Sequence, residues 1–231
     1  MNIHTFGSTE SNIVLVQPVD NRELQMIPTE ISLIKERTER DFCLLACEVD
    51  NWNRDLSPWE ADAVFGNEPF GGKAEETLAF LKREVLEVHE GKQPVIGGYS
   101  LAGLFALWAA YQTDTFGGVA AASPSAWFPG FVRYAETHEI RADSVYLSLG
   151  DKEEKTKNPV MKTVGDSIRA LNELYEQDEN LKTTLEWNQG NHFKEPELRV
   201  AKAFAWTILL HTGEKYPEIK QEYRFERVEC S

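Results

Sequence analysis

Short apolar runs alternate with longer amphipathic segments along most of this 231-residue chain. The runs are rich in β-branched or aromatic residues, and several are apolar on both faces, which is typical of strands in a buried parallel sheet. Strands are predicted over residues 13–18, 42–49, 94–97, 118–122, 145–149 and 184–187. Helices are predicted where apolar residues recur with helical spacing, over residues 22–35, 74–90, 101–112, 159–176 and 195–211.

The repeated order of strand and helix predicts an α/β fold with a mostly parallel, doubly wound sheet and helices on both of its faces. No repeat, low-complexity tract or Gly/Ser-rich linker divides the sequence, so we expect a single domain over residues 1–231. Sheets of this kind bind ligands beyond the carboxyl ends of their strands. The loops that follow the predicted strands are therefore where functional residues are expected.

The composition argues against several kinds of partner. The chain has 24 Lys and Arg against 38 Asp and Glu, a formal net charge of −14, which repels nucleic-acid phosphates. Residues 1–10 lack the basic start and apolar run of a secretory signal, and no stretch reaches the ~20 apolar residues that span a bilayer. We therefore expect a cytoplasmic protein that binds neither nucleic acid nor a membrane.

The cysteines form an odd set, Cys43, Cys47 and Cys230. Cys43 and Cys47 would share one face of a strand, but they are too far apart along it for a disulfide. No Cys/His cluster of the kind that binds zinc surrounds them. We expect all three thiols to be reduced and structural, and we predict no metal site and no cofactor.

Ser100 lies where a predicted strand turns sharply into a strongly apolar helix. Gly98 and Ala102 stand two positions before and after it, which nearly matches the G-x-S-x-G pattern of a nucleophile elbow, with Ala in the last place. Small residues at these positions make a strained turn sterically possible, and such a turn exposes the hydroxyl above the sheet. Ser100 is therefore the candidate nucleophile.

The segment 98–108 resembles the putative-esterase family of α/β-hydrolases, which includes the enterochelin esterases. Residues 122–127, Ala-Ser-Pro-Ser-Ala-Trp, are similar to that family's Ser-Pro-Ser loop. With the histidine loop described below, the resemblance extends over residues 94–193 and implies an α/β-hydrolase fold and a serine esterase. Ala102 departs mildly from the pattern, and the first hundred residues match only the general fold. The resemblance therefore does not identify the substrate of this chain.

His192 is the candidate general base, because it follows the predicted strand 184–187 in a loop that leads into a helix. His4, His89, His138 and His211 occupy the terminus or helical segments. The acid should follow the strand 145–149, where Asp151, Glu153 and Glu154 lie close together. In related hydrolases the acid commonly lies three residues after the Gly that ends this strand, which gives Glu153. Asp151 and Glu154 stay open as alternatives, as does a Ser-His dyad without an acid.

Two backbone N–H groups are needed to stabilise the oxyanion of an acyl-transfer reaction. Leu101, directly after the nucleophile, is predicted to supply one. Trp52, in the loop after the predicted strand 42–49, is predicted by analogy with the fold to supply the other. Trp59 and Trp127 also fall on loops at the sheet edge, where they would either line a substrate pocket or pack the loops.

The sequence thus predicts a serine hydrolase that forms an acyl-enzyme, with a small-molecule ester as its substrate. A thioester, amide or peptide bond is open to the same chemistry. The irregular segment 51–73 is expected to influence substrate size. The alternative from another class is a catalytically silent α/β-hydrolase that serves as a binding or scaffold protein. The sequence predicts neither the oligomeric state nor the role of residues 216–231.

Overall fold

The computed structural model describes residues 1–88, 92–214 and 216. Within these residues, the main sheet has seven strands in the order β1-β3-β2-β6-β7-β8-β9, and β4 and β5 pair separately. The strands are β1 (Asn2–Gly7), β2 (Val14–Val19), β3 (Cys43–Glu48), β4 (Glu60–Ala61), β5 (Phe70–Gly71), β6 (Val95–Tyr99), β7 (Gly118–Ala122), β8 (Ser144–Gly150) and β9 (Lys182–Asn188). The edge strand β1 is antiparallel to β3, and the other neighbours in the main sheet are parallel.

Helices cover both faces of this sheet. They are α1 (Asn21–Thr38), α2 (Trp52–Leu56), α3 (Ala74–Val88), α4 (Ser100–Gln112), α5 (Phe131–Thr137), α6 (Val164–Glu176) and α7 (Pro196–His211). Helices α1 and α7 pack against each other and share one hydrophobic core with the sheet. The core on the opposite face is formed with α4 and α6. The predicted α/β-hydrolase arrangement, a mostly parallel sheet flanked by helices on both faces, is confirmed.

The central helix α4 is buried almost around its whole circumference. Every residue from Leu101 to Tyr111 is buried, which explains why the segment is apolar on all sides instead of amphipathic. Because α4 packs on β6 and β7, its first residue is held rigidly at the carboxyl edge of the sheet.

The predicted helix 159–176 is wrong at its amino-terminal end. The Asn158 side chain accepts hydrogen bonds from the backbone N–H groups of Val160 and Met161, at 3.0 and 3.1 Å. This local turn competes with helix formation, and α6 begins only at Val164. Sequence analysis also missed β1, α5 and the short elements within residues 51–73.

Cys43 and Cys47 are buried thiols of the same core, on one strand. Cys230, His89 and residues 217–231 lie outside the described residues, as does the predicted end of the helix 74–90. Over the ranges 1–88 and 92–214, no helix combines the length and the apolar character that crossing a membrane requires.

Gly97 is the point on β6 where the sheet has no room for a side chain. A Cβ at this position would lie 2.7 Å from Ala120 Cβ and 2.8 Å from the Phe204 ring of α7. We expect Gly97→Ala to lower the free energy of unfolding by about 1–3 kcal/mol, because overpacking a dense core forces its neighbours to move. Urea unfolding followed by tryptophan fluorescence measures the change.

Gly66→Ala is the control, because no heavy atom lies within 4 Å of that Cβ position. Its positive φ makes alanine cost about 1–2 kcal/mol through backbone strain alone, without overpacking. Wild-type stability in Gly97→Ala would show that β6 and α7 have room for a methyl group at this position.

Candidate active site

Ser100 sits at a strained junction between β6 and α4. Its φ of 55° is in the left-handed region, a conformation that is costly for a residue with a Cβ and that persists only when its surroundings enforce it. The turn is tight enough that a Cβ on Gly98 would lie 2.6 Å from the Cβ of Ala102. Glycine at 98 is therefore what makes room for alanine at 102, the mild departure noted in the sequence.

The structure brings His192 to Ser100. The loop after β9 places His192 Nε2 3.0 Å from Ser100 Oγ, and the imidazole keeps 25% of its surface exposed. The Tyr99 hydroxyl donates a hydrogen bond to the His192 carbonyl at 2.6 Å, and the two rings pack 5.0 Å apart. The histidine is thus fixed by its backbone and its ring while its Nε2 faces the serine.

Glu153 completes the arrangement. Its Oε2 lies 2.7 Å from His192 Nδ1, and its side chain is 4% exposed. Its Oε1 accepts hydrogen bonds from the Gly150 N–H at 2.7 Å and from the Ser123 hydroxyl at 2.8 Å. Burial raises the pKa of Glu153, but the contact with His192 and the other hydrogen bonds outweigh burial and leave that pKa below its ordinary value.

The two alternative acids are directed elsewhere. Asp151 Oδ1 accepts a hydrogen bond from the Gly190 N–H at 2.6 Å. Glu154 pairs with Arg169 of α6 at 2.9 Å. A carboxylate at Nδ1 holds the imidazole tautomer that leaves Nε2 free to accept a proton. Of the three carboxylates in this segment, Glu153 is the one that the structure joins to His192.

Arg199 of α7 is a site residue that sequence analysis missed. Its side chain is 2% exposed, and its Nη1 lies 2.6 Å from Glu153 Oε1. The same Nη1 donates to the Ser123 and Tyr99 hydroxyls at 2.9 and 3.2 Å, and Nη2 donates to the Asn191 carbonyl at 2.9 Å. The available signal was an arginine beside Val200 in an otherwise apolar part of α7, since a buried arginine requires a partner.

The Ser-Pro-Ser loop after β7 supports both ends of the site. Ser123 is fully buried and contacts Glu153, as described above. Ser125 donates its backbone N–H to the Ser100 carbonyl at 2.9 Å, and its Oγ lies 3.3 Å from Ser100 Oγ. This loop therefore positions the acid and the elbow together.

The predicted oxyanion donors lie at helix amino termini. Leu101 is in the first turn of α4, whose N–H groups receive no side-chain cap. Trp52 is the first residue of α2, which packs against α4. Trp52 follows β3, and β3 is not adjacent to β6, the strand before Ser100, because β2 lies between them in the sheet. The roles of Leu101 and Trp52 stay predictions.

A cavity of about 400 Å³ opens beside His192 and is lined in part by Trp127, Glu153 and Phe193. Trp59 is not among its lining residues. Its indole N–H donates to the Pro129 carbonyl at 2.9 Å, and its ring packs on Phe128 and Tyr134. Trp59 thus packs the loops and lines a separate cavity with Pro129 and Val160, whereas Trp127 lies in the wall of the cavity beside His192.

Metal ligation has little support in the part of the chain that the structure describes. Groups of three or more His, Cys, Asp or Glu that could hold a metal ion are absent from residues 1–88 and 92–214. The side-chain atoms around His192 that could ligate a metal already form hydrogen bonds with one another and with Arg199.

Removal of the Arg199 charge should strongly destabilise the fold. In Arg199→Met the carboxylate of Glu153 stays buried without its cation, which costs about 3–5 kcal/mol for pairs of this kind. Adding Glu153→Gln removes the second charge and should recover part of that loss. Urea unfolding of the single and double variants measures this coupling.

Arg133→Met, at an exposed arginine of α5, is the matched control and should change stability by no more than about 0.5 kcal/mol. Strictly additive effects of Arg199→Met and Glu153→Gln would contradict a coupled buried pair.

Comparisons with known proteins identify the family and the fold. The family model described as "Putative esterase" matches residues 32–230. No curated protein matches the sequence.

Solved structures share the fold at low sequence identity. An IroE-like serine hydrolase from Shewanella oneidensis is 15% identical with a TM-score of 0.68, and the match covers 86% of this chain and 70% of that one. A protein of unknown function from Agrobacterium tumefaciens, described as a putative alpha/beta hydrolase, is 15% identical with a TM-score of 0.58 and 94% coverage of both chains. An esterase from Pyrococcus furiosus is 8% identical with a TM-score of 0.54, covering 89% of this chain and 87% of that one.

The family match extends over most of the chain, and the neighbours share its sheet and helices. The resemblance stated from residues 94–193 is therefore confirmed, and this protein belongs to the esterase family of α/β-hydrolases.

Proposed function

We propose that this protein is a serine esterase that hydrolyses small carboxylic esters through an acyl-enzyme, with Ser100 as nucleophile, His192 as general base and Glu153 as the acid. The observation that carries the proposal is the continuous chain of contacts from Ser100 Oγ to His192 Nε2 at 3.0 Å and from His192 Nδ1 to Glu153 Oε2 at 2.7 Å. A serine hydroxyl becomes an effective nucleophile when a positioned base takes its proton.

In the first half of the reaction, Ser100 Oγ attacks the ester carbonyl carbon while its proton passes to His192 Nε2. The imidazolium forms beside the carboxylate of Glu153, whose negative charge stabilises it. The carbonyl oxygen takes up the negative charge and is held by backbone N–H groups, for which Leu101 and Trp52 are the predicted donors. Collapse of this intermediate expels the alcohol, which takes the proton from His192.

In the second half, water takes the place of the alcohol. His192 removes a proton from the water, the resulting hydroxide attacks the acyl carbon, and the C–O bond to Ser100 breaks as His192 returns the proton to Oγ. The exposure of His192 permits water to reach it. Glu153 keeps its negative charge throughout, consistent with its lowered pKa.

The cavity beside His192 limits the substrate. Its volume of about 400 Å³ is in the range of sites for small molecules. Trp127, Met161 and Val164 give it an apolar wall, which suits a short hydrocarbon chain or a small ring. Short esters are accordingly preferred over long-chain lipids.

Ser100→Ala should abolish ester hydrolysis. Hydrolysis of p-nitrophenyl acetate, butyrate and octanoate measures activity and acyl preference together, and kcat/KM should fall by at least about 10⁴-fold when the hydroxyl is lost. A fluorophosphonate probe should label the wild type at Ser100 and leave Ser100→Ala unlabelled. Equal turnover by the two proteins would refute the nucleophile. An unlabelled, inactive wild type would favour the scaffold alternative.

Glu153→Gln should lower kcat by about 10⁴-fold, because an amide no longer stabilises the imidazolium or selects the imidazole tautomer. Asp151→Asn and Glu154→Gln are matched controls, since each removes a neighbouring carboxylate that is not in contact with His192. Full activity in Glu153→Gln, with its fold verified by circular dichroism, would indicate a Ser-His dyad.

A further inference from the structure

Two lysines lie in the wall of the cavity beside His192. Lys152 and Lys155 line it together with the apolar side chains of Trp127, Met161 and Val164. Neither lysine ammonium has an acidic or hydrogen-bonding partner in the part of the chain that the structure describes.

The acidic residues between these lysines are already neutralised. Glu153 is paired with the buried Arg199, and Glu154 is paired with Arg169. Among the described residues that line the cavity, Glu153 is the one carboxylate, so its pairing with Arg199 leaves the lysines as the uncompensated charges there. Asp151 is turned toward the Gly190 N–H and does not line the cavity.

The segment that carries the lysines is tied to the histidine loop. The Lys152 N–H donates to the Gly190 carbonyl at 3.1 Å, and the Lys155 N–H donates to the Lys152 carbonyl at 3.2 Å. Both lysines therefore start from a backbone that is fixed relative to His192. Because both residues line the cavity, a ligand bound there would meet their side chains without a rearrangement of the main chain.

We propose that the cavity binds an anionic group of the substrate, a carboxylate or a phosphate, at Lys152 and Lys155, while its apolar wall holds the hydrocarbon part. This inference rests on the proposed esterase function and names its substrate class: an ester that carries a negative charge several atoms from the scissile carbonyl. The charge belongs either to the acyl part or to the alcohol part.

Two pairs of esters distinguish these sources. 4-Nitrophenyl hydrogen adipate carries a free carboxylate on its acyl part. The same ester with a carboxamide in place of that carboxylate is neutral, so this pair tests a charge on the acyl part. 4-Acetoxybenzoate and 4-acetoxybenzamide test a charge on the alcohol part. Partly exposed ion pairs contribute about two- to fivefold each, so the wild type should prefer the anion by up to about tenfold in kcat/KM in one of the pairs.

The preference should depend on the lysines and on salt. Lys152→Met with Lys155→Met should reduce the ratio to about one by lowering kcat/KM for the anionic ester, and Lys155→Glu should reverse it. Lys157→Met is the matched control, because this neighbouring lysine is exposed and does not line the cavity. Raising the salt concentration should weaken the preference, since it screens exposed charges.

Binding to Ser100→Ala separates this inference from the proposed chemistry. Calorimetric titration with the same esters should show tighter binding of the anion, with the difference lost when both lysines are replaced. Hydrolysis of neutral esters without any anion preference in either pair would overturn the inference and leave the esterase intact. If the wild type hydrolyses none of these esters but binds the anion in a lysine-dependent way, the anion-binding cavity is supported and the esterase function is refuted.

Discussion

The buried contact between Arg199 and Glu153 holds the site together. Its two groups come from α7 and from the turn after β8, and they meet 2.6 Å apart with almost no solvent exposure. The same Arg199 Nη1 also donates to the Tyr99 and Ser123 hydroxyls, and Nη2 donates to the Asn191 carbonyl in the histidine loop. The strand that ends at the elbow, the Ser-Pro-Ser loop, the acid and the histidine loop are therefore joined to one cation.

The cost of that arrangement is an ion pair removed from water. Such pairs stabilise a fold weakly, because desolvation offsets most of the attraction. What the pair provides here is geometry: Glu153 stays ionised in a buried position, with its Oε1 held by Arg199 and its Oε2 free for His192. A carboxylate that faced solvent, as Asp151 or Glu154 could, would orient the imidazole less firmly.

The same pairing shapes the neighbouring cavity. Glu153 is paired with Arg199, and Glu154 is paired with Arg169. The uncompensated charges that this segment presents to the cavity are therefore those of Lys152 and Lys155. The electrostatic character of the cavity is thus opposite to that of the chain as a whole. Net charge and composition alone would have suggested that an anion is repelled.

The sequence by itself determined the order of the six parallel strands and of the five long helices, the elbow at Ser100 and the loops that hold the histidine and the acid. These features depend on residues close together in the chain: apolar periodicity, small residues around the turn, and a histidine directly after a strand. The start of α6 differs from the prediction, because the Asn158 side chain bonds to the backbone ahead of the helix. Sequence periodicity does not register such a turn.

Only the tertiary structure decided which carboxylate contacts His192, which arginine supports it and which charges face the cavity. The residues of the site are far apart in sequence: Tyr99, Ser123, Glu153, His192 and Arg199. They meet because the parallel strands β6 to β9 end at one edge of the sheet, with α7 packed across them. Their distances follow from strand register and helix packing. The physical reason is that long-range contacts depend on how separate elements pack, which the local pattern of any one segment does not contain.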